Sequence, residues 1–324
     1  MKSISRRDFV RLCMGSAAGL SIFSALGPVI TEAFGQAAEG KPPVIWIQGA
    51  SCTGCSVSLL NSVDPGIGKV VLDVISMKYH PNLMAASGKL AVNALYEMAE
   101  QYKGKFFLVI EGGIPTKADG YYCTIGERNG KHVTMMEAAR ILGERAAAVI
   151  AAGSCASFGG IPAAAPNVTG VVSVKQYLPN KPVINIPTCP IHPDHFIGTL
   201  TYVLTYGEIP KLDRYNRPIM FHGGTVHDYC VRRPDFFAER FAQKPGDPGC
   251  LYLLGCKGPL AFSDCSKRGW NNGISYCPKA GSPCMACADP GFPDSMSPFY
   301  ERFQLRLDPF ELVSSEERQR RMSL

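Results

Sequence analysis

Three short apolar runs in this sequence end in the same way, and that repetition limits the folds open to the chain. Residues 43–48, PVIWIQ, run into Gly49-Ala50-Ser51-Cys52-Thr53-Gly54-Cys55; residues 147–152, AAVIAA, into Gly153-Ser154-Cys155; residues 182–186, PVINI, into Pro187-Thr188-Cys189. A short apolar run bounded by glycine or proline is the form of a strand buried on both faces. A fourth, FFLVIE at 106–111, ends in Gly112-Gly113, and VLDVIS at 71–76 reads as a fifth. Between them lie helical patterns such as LAVNALYEMAEQY (90–102) and MMEAARILGERAA (135–147). Strands alternating with helices predict an α/β domain, a parallel sheet with helices on both faces. In such sheets ligands collect in the crevice beyond the carboxyl ends of the strands. Cys52, Cys55, Cys155 and Cys189 all fall at that edge, so four thiols from three distant places in the chain can meet at one point.

A convergence of that kind is a cofactor site. A thioredoxin-like redox pair would account for Cys52 and Cys55 but leaves Cys155 and Cys189 unexplained. Zinc also takes four thiolates, although its structural sites are usually built from two closely spaced pairs on small knuckles. A four-thiolate site assembled across a large sheet suits a 4Fe-4S cluster better.

From about residue 210 the periodicity fades, and proline, glycine and cysteine become dense. His227-Asp228-Tyr229-Cys230, with Cys250 and Cys256, offers one imidazole and three thiols; CSKRGWNNGISYCPKAGSPCMAC at 265–287 adds Cys265, Cys277, Cys284 and Cys287. A region so poor in periodic apolar sequence needs another source of stability, which bound metal supplies. On these residues alone, disulfides, zinc and iron–sulfur clusters each remain open for the last segment. Thirteen cysteines in 324 residues are too dilute for a small disulfide-stapled scaffold, and an odd count leaves one thiol over. Cys123, in YYCTIG, has no partner in sequence and reads as a buried, inert thiol. His192 and His195, in CPIHPDH, read as donors beside Cys189 or as loop residues. The basic groups Arg232-Arg233 and 318–321 lack interleaved aromatics and read as solvated faces, so no nucleic-acid partner is expected.

The N-terminus points to a compartment. Ser5-Arg6-Arg7-Asp8-Phe9-Val10 carries a twin arginine, followed by an apolar run from Leu12 to Ile30 and small residues from Gly35 to Ala38. That order reads as a twin-arginine export signal over 1–37, with Cys13 in the discarded segment, and the destination as the periplasm. Proteins exported by this route fold and often load cofactors before they cross, so thiols already holding metal are withheld from disulfides. The expected organisation is a sheet domain over 38–210 and a smaller irregular domain over 211–324, with no membrane span in the mature chain.

Taken in order, the motifs IWIQGASCTGCSVSLLN, IEGGIP, AAGSCASFGGIPAA, PTCPIHPD, HDYC, LGCKGP and the last cysteine segment resemble the small subunit of periplasmic nickel–iron hydrogenases. The resemblance implies a flavodoxin-like first domain followed by an iron–sulfur domain. It implies a proximal 4Fe-4S cluster on Cys52, Cys55, Cys155 and Cys189, a distal one on His227, Cys230, Cys250 and Cys256, and a medial one on Cys265, Cys284 and Cys287. Many members have proline where this chain has Cys277, and their medial cluster holds three irons. The fourth thiol is similar to the nickel–iron–selenium branch and implies a 4Fe-4S medial cluster, with 3Fe-4S the alternative if Cys277 is not a ligand. Gly54 and Gly160 stand where oxygen-tolerant relatives add cysteines, so an ordinary proximal cluster is expected. Glu111 resembles a family residue near that cluster and is given no catalytic role.

The family's nickel–iron site, with or without selenium, lies on a separate large subunit, and this chain has no pair of CxxC motifs left over for it, Cys52-Thr53-Gly54-Cys55 and Cys284-Met285-Ala286-Cys287 being assigned to the clusters. The expected role is therefore electron transfer from that subunit to a surface acceptor near His227, the family's usual soluble partner being a tetrahaem c-type cytochrome. The formal charge of +6 includes the signal's basic residues. Cluster-bound thiolates bring the mature protein near neutrality, so net charge does not select the acceptor.

Overall fold

The computed structural model describes residues 41–301. The export signal expected over 1–37, Cys13 and the basic run 318–321 lie outside the described residues.

Five strands form one sheet: β1 (Pro43–Gln48), β2 (Ser76–Tyr79), β3 (Phe107–Glu111), β4 (Ala148–Ala152) and β5 (Val183–Ile186). Their order is β2-β1-β3-β4-β5, and every neighbouring pair is parallel. This is the flavodoxin-like arrangement of doubly wound sheets, in which the ligand crevice opens where the strand order reverses, beside β1 and β3. Alternation along each strand sends its two sets of side chains to opposite faces. Ile45, Ile47, Leu108, Ile110, Val149 and Ala151 share one core with helices α2 (Gly88–Gln101) and α3 (Met135–Arg145). Val44, Trp46, Phe107, Val109, Ile150 and Ile184 share the other with α1 (Gly54–Leu60) and α5 (Pro193–Tyr206). The remaining helix at the sheet edge, α4 (Gly153–Phe158), follows β4 directly.

One strand lies elsewhere than the sequence suggests. The run expected at 71–76 is a π-helical turn over Val70–Val74, and β2 begins only at Ser76. Val70 and Ile75 are buried while Leu72 is 69% exposed, which is the one-sided pattern of a helix. As the edge strand, β2 pairs with β1 alone, and its residues are mostly half-buried, so it carries no continuous apolar signal.

Beyond Tyr206 the described elements are short, the longest helix being Arg233–Phe237. The core of this region joins Val226, Leu251, Ala261, Tyr276, Ala286 and Phe292 to Cys256 and Cys284, so thiols are part of the packing itself. Polar contacts tie it to α5: His192 Nε2 lies 2.7 Å from the Gly269 carbonyl and His195 Nε2 2.6 Å from Asp264 Oδ1, while within the region Arg217 Nη1 donates to the Ala288 carbonyl at 3.0 Å. No helix among the described residues is long and apolar enough to cross a membrane.

Candidate metal centres

At the sheet edge the four expected thiols come together. Cys52 and Cys55 follow β1 at the start of α1, Cys155 sits in α4 after β4, and Cys189 follows β5. Cys155 and Cys189 lie within electrostatic reach of Cys55, and Cys52 within reach of Cys155 and Cys189. Burial is the main force raising the pKa values of Cys55, Cys155 and Cys189, pushing Cys155 up to about 12 and Cys55 higher still, with neighbouring thiols and, for those two, Glu111 adding to it.

The backbone is shaped around the sulfurs. The amides of Gly54 and Ile191 donate to the Sγ of Cys52 and Cys55, each at 3.4 Å, and the amide of Ile161 to that of Cys155. Gly153 adopts φ +83°, and a Cβ there would stand 2.4 Å from Cys55 Sγ. Only glycine combines that left-handed backbone with such close approach. At Gly160 a Cβ would lie 2.9 Å from the Cys155 Cα and 3.1 Å from its Sγ, so a side chain in place of Gly160 needs the loop to shift.

Glu111, at the end of β3, anchors this edge. Its carboxylate, 1% exposed, accepts from Trp46 Nε1 and Gln48 Nε2 at 3.0 Å, from the amides of Cys55 at 3.0 Å and Ser56 at 3.3 Å, and from the Ser56 hydroxyl. The first amides of a helix lack partners within it. Thr53 makes no side-chain cap, so a carboxylate from the neighbouring strand caps α1 and fixes Cys55 at the same time.

The second thiol group lies on the segment 265–287. Cys265 is within electrostatic reach of Cys277, Cys284 and Cys287, and Cys287 of Cys277. Cys277 stands at the exposed rim, while Cys284 is buried. Burial raises all four, Cys265 to about 11. The hydroxyl of Ser263 lies 3.1 Å from Cys265 Sγ, the indole of Trp270 donates to that sulfur, and the amide of Ala286 donates to Cys284 Sγ at 3.5 Å.

Cys230, Cys250 and Cys256 form the third group, each pair within electrostatic reach, with burial raising Cys250 to about 11 and also raising Cys256. The backbone of His227 joins them: its carbonyl accepts from the Cys230 amide and its own amide donates to Gly258 beyond Cys256, both at 3.2 Å. The His227 ring meets Phe236 edge to face, their centroids 4.7 Å apart.

The groups also touch one another. The Cys189 amide donates to Cys287 Sγ and the Ser154 hydroxyl to the Cys287 carbonyl, which links the sheet edge to the second group. The Cys284 amide donates to Cys256 Sγ at 3.3 Å, linking the second to the third.

All twelve described cysteines are free thiols. Among the described residues no three His, Cys, Asp or Glu side chains close around the position of a single ion. The chemistry fits bound metal: crowded, desolvated thiols ionise only against a strongly cationic partner, and the N–H groups aimed at the sulfurs stabilise thiolate.

Other expectations resolve differently. Cys123 is half-buried against the core of α2 and α3 rather than fully buried. His192 and His195 are not donors to Cys189; His192 caps α5, lies tilted against Trp270 and reaches Gly269, and His195 meets Asp264. Arg232 is no solvated face, since it donates to the carbonyls of Pro278 at 2.8 Å and of Gly249. Lys257, buried with its Nζ on the carbonyls of Gly255 and Pro298, was hidden inside LGCKGP: a lysine between cysteine and glycine in an apolar stretch was the available signal.

A flavodoxin-like sheet whose crevice is lined by cysteines is followed by a thiol-packed irregular region, an arrangement that fits a metal-binding α/β protein, and comparison with known proteins matches both stretches. Residues 52–203 match the profile described as NADH ubiquinone oxidoreductase, 20 Kd subunit, and residues 222–300 the profile for the C-terminal part of the NiFe/NiFeSe hydrogenase small subunit. The chain belongs to the small-subunit family of nickel–iron hydrogenases. It is 46% identical over 313 residues to the periplasmic NiFeSe hydrogenase small subunit of Desulfomicrobium baculatum, covering 92% of this chain and 99% of that one. It is 41% identical to the quinone-reactive Ni/Fe-hydrogenase small chain of Wolinella succinogenes, covering 94% and 86%. Among solved structures, the reduced, active Ni-Fe-Se hydrogenase of D. baculatum superposes with a TM-score of 0.79, covering 82% of this chain and all of that one. The oxidised NiFeSe hydrogenase of Desulfovibrio vulgaris Hildenborough, 44% identical, gives 0.78 over 81% and 98%.

Proposed function

We propose that this chain relays electrons between the nickel–iron site of a hydrogenase large subunit and an external acceptor through three 4Fe-4S clusters. Cys52, Cys55, Cys155 and Cys189 hold the proximal cluster, Cys265, Cys277, Cys284 and Cys287 the medial, and His227, Cys230, Cys250 and Cys256 the distal. The organisation that goes with this is a twin-arginine signal over 1–37, a sheet domain to residue 210 and a cluster domain after it, working in the periplasm. The acceptor is a c-type cytochrome that meets the surface near His227. The nickel–iron centre belongs to the large subunit, with selenium in the branch this chain most resembles in its medial segment.

The observation that carries this reading is the order of the thiol groups. Cys189 meets Cys287, and Cys256 meets Cys284, so the second group stands between the other two with a ligand pair at each shared edge. Bound clusters supply one-electron redox steps; the chain's own part is to hold thiolates, aim N–H donors at them and keep water out. Zinc and disulfide need no such linear sequence of three groups.

The test is chemical analysis of the anaerobically purified heterodimer. About twelve cluster irons with matching acid-labile sulfide are expected, four for each of three cubanes. Zinc without sulfide, or cysteines recovered as disulfides, would overturn the proposal.

A further inference from the structure

Large apolar side chains are ordinarily scattered singly over a protein surface, and several crowded into one short stretch mark a place where something docks. Tyr229, Val231 and Phe237, on either side of Cys230, are each between 53% and 58% exposed. The segment that carries them is tied down: the Val231 amide donates to the Tyr276 hydroxyl at 2.7 Å, the Cys230 amide to the His227 carbonyl at 3.2 Å, and Asp228 Oδ2 accepts from the Thr225 amide at 2.7 Å. Two of the exposed rings have a cation over them. Lys267 Nζ lies 5.5 Å from the centre of the Tyr229 ring, and the Arg233 guanidinium carbon 5.1 Å from that of Phe237. Arg233 is held there by its Nη1, which donates to the Asp228 carbonyl at 3.3 Å. A cation over an exposed ring gains only about 0.5–1 kcal/mol, and its charge is not cancelled by the contact.

The carboxylates close by are engaged elsewhere. Asp228 caps its own turn, Asp235 pairs with Arg240 at 2.7 Å, and Asp264 pairs with Arg268 at 2.7 Å. Among the described residues neither Arg233 nor Lys267 is ion-paired to a carboxylate. The exposed acid of this stretch, Glu239, lies beyond Phe237 with Arg240 next to it in sequence. We propose that Tyr229, Val231 and Phe237, flanked by Lys267 and Arg233, form a docking face for a redox protein whose own contact face is rimmed by Asp and Glu. This rests on the cluster reading above and goes further by fixing the sign of the partner's face. An oxidised distal cluster sets the two positive charges of its core against three thiolates, which leaves a single negative charge, and the two cations exceed it. The apolar centre supplies the contact that excludes water, and the cations steer the partner and fix its register. Net charge does not select the acceptor, but opposed local patches do. The c-type cytochrome that fits is one whose haem edge is ringed by carboxylates and not by lysines.

The test uses the anaerobically purified heterodimer and two monohaem c-type cytochromes of similar size, one acidic and one basic. Dissociation constants are measured by sedimentation at low and at high ionic strength, and H2-dependent reduction of the same two cytochromes is followed in parallel. At low ionic strength the acidic cytochrome should bind at least about tenfold more tightly than the basic one. Salt above ~0.15 M, where the screening length is about 8 Å, should remove most of that difference. Lys267→Glu and Arg233→Glu should each weaken binding of the acidic cytochrome about three- to tenfold, an attraction being lost and a repulsion added. Exchange of H2 with D2O, which needs no acceptor, should stay at the wild-type rate. Iron content is measured in the same samples; one iron-complete variant suffices, and if neither is complete the wild-type preference and its salt dependence decide. A basic cytochrome that binds as tightly as the acidic one would overturn the proposal, as would an iron-complete variant that binds the acidic cytochrome like the wild type. Absence of clusters from the wild type would instead refute the underlying assignment.

Discussion

Replacing Glu111 by alanine removes one acceptor from five donors at once. The indole of Trp46, the amide side chain of Gln48, the Ser56 hydroxyl and the backbone amides of Cys55 and Ser56 in the first turn of α1 all end on that carboxylate, in a place 1% exposed to solvent. A hydrogen bond to a charged group contributes about 1.5–3 kcal/mol net. The donors are not independent, and water will enter the space left behind, so the loss is well below five times that figure. With about two of the neutral donors left unmet at about 1–3 kcal/mol each, the loss is about 3–5 kcal/mol. At about 2–4 °C per kcal/mol for a domain of this size, the apparent melting temperature should fall by about 6–20 °C. Glu111→Gln keeps the shape but turns an NH2 toward N–H and O–H donors, so it should cost about 1–3 kcal/mol, one or two buried donors being left unmet. Because the Cys55 amide is among the donors, both variants should also lose iron from the sheet-edge site faster on warming. The assay is thermal unfolding of the anaerobic heterodimer with iron release followed in the same samples. Two variants that melt with the wild type and release iron at its rate would refute the claim that Glu111 anchors Cys55.

Three other predictions follow from the cysteine environments and the N-terminus. Gly153→Ala places a methyl 2.4 Å from Cys55 Sγ on a backbone at φ +83°. At about 1–2 kcal/mol for the left-handed residue and about 1–3 for overpacking, the heterodimer should lose about four of the roughly twelve irons the proposal assigns to it while the other two sites stay loaded. Cys277→Pro should convert the medial site to 3Fe-4S, giving a stoichiometric three-iron resonance in the oxidised enzyme that the wild type lacks; the same resonance in undamaged wild type would contradict Cys277 as a ligand. Replacing both Arg6 and Arg7 by lysine should leave the precursor in the cytoplasm, checked by fractionation, because the pair is the recognised address; undiminished periplasmic activity would refute the signal assignment.

The sheet was legible because β1, β3, β4 and β5 are largely buried and each stops at a glycine or proline, three of them within a few residues of a cysteine. β2 was misplaced because an edge strand needs no continuous apolar run, and the helical turn before it has one-sided burial that a run of Val and Leu conceals. Every thiol group named from spacing is gathered in space, yet nothing in the spacing shows what binds the groups to each other. The contacts of Cys189 with Cys287 and Cys256 with Cys284 join residues far apart in sequence through backbone amides, which carry no residue code. For the same reason His192 and His195 could not be separated from sulfur donors before their partners in the 264–269 segment were known. Arg232 and Lys257 were hidden for a different reason: a basic residue reads as solvated until carbonyls are found around it.

The central claim, three clusters in a row on twelve named ligands, is tested most directly by locating the iron. Anomalous diffraction from crystals of the anaerobic heterodimer, recorded on both sides of the iron absorption edge, should show three compact iron groups in this chain. One should be bounded by Cys52, Cys55, Cys155 and Cys189, one by Cys265, Cys277, Cys284 and Cys287, and one by His227, Cys230, Cys250 and Cys256, with the second between the other two. Iron missing from any of these groups, or anomalous signal there at the zinc edge instead, would contradict the account.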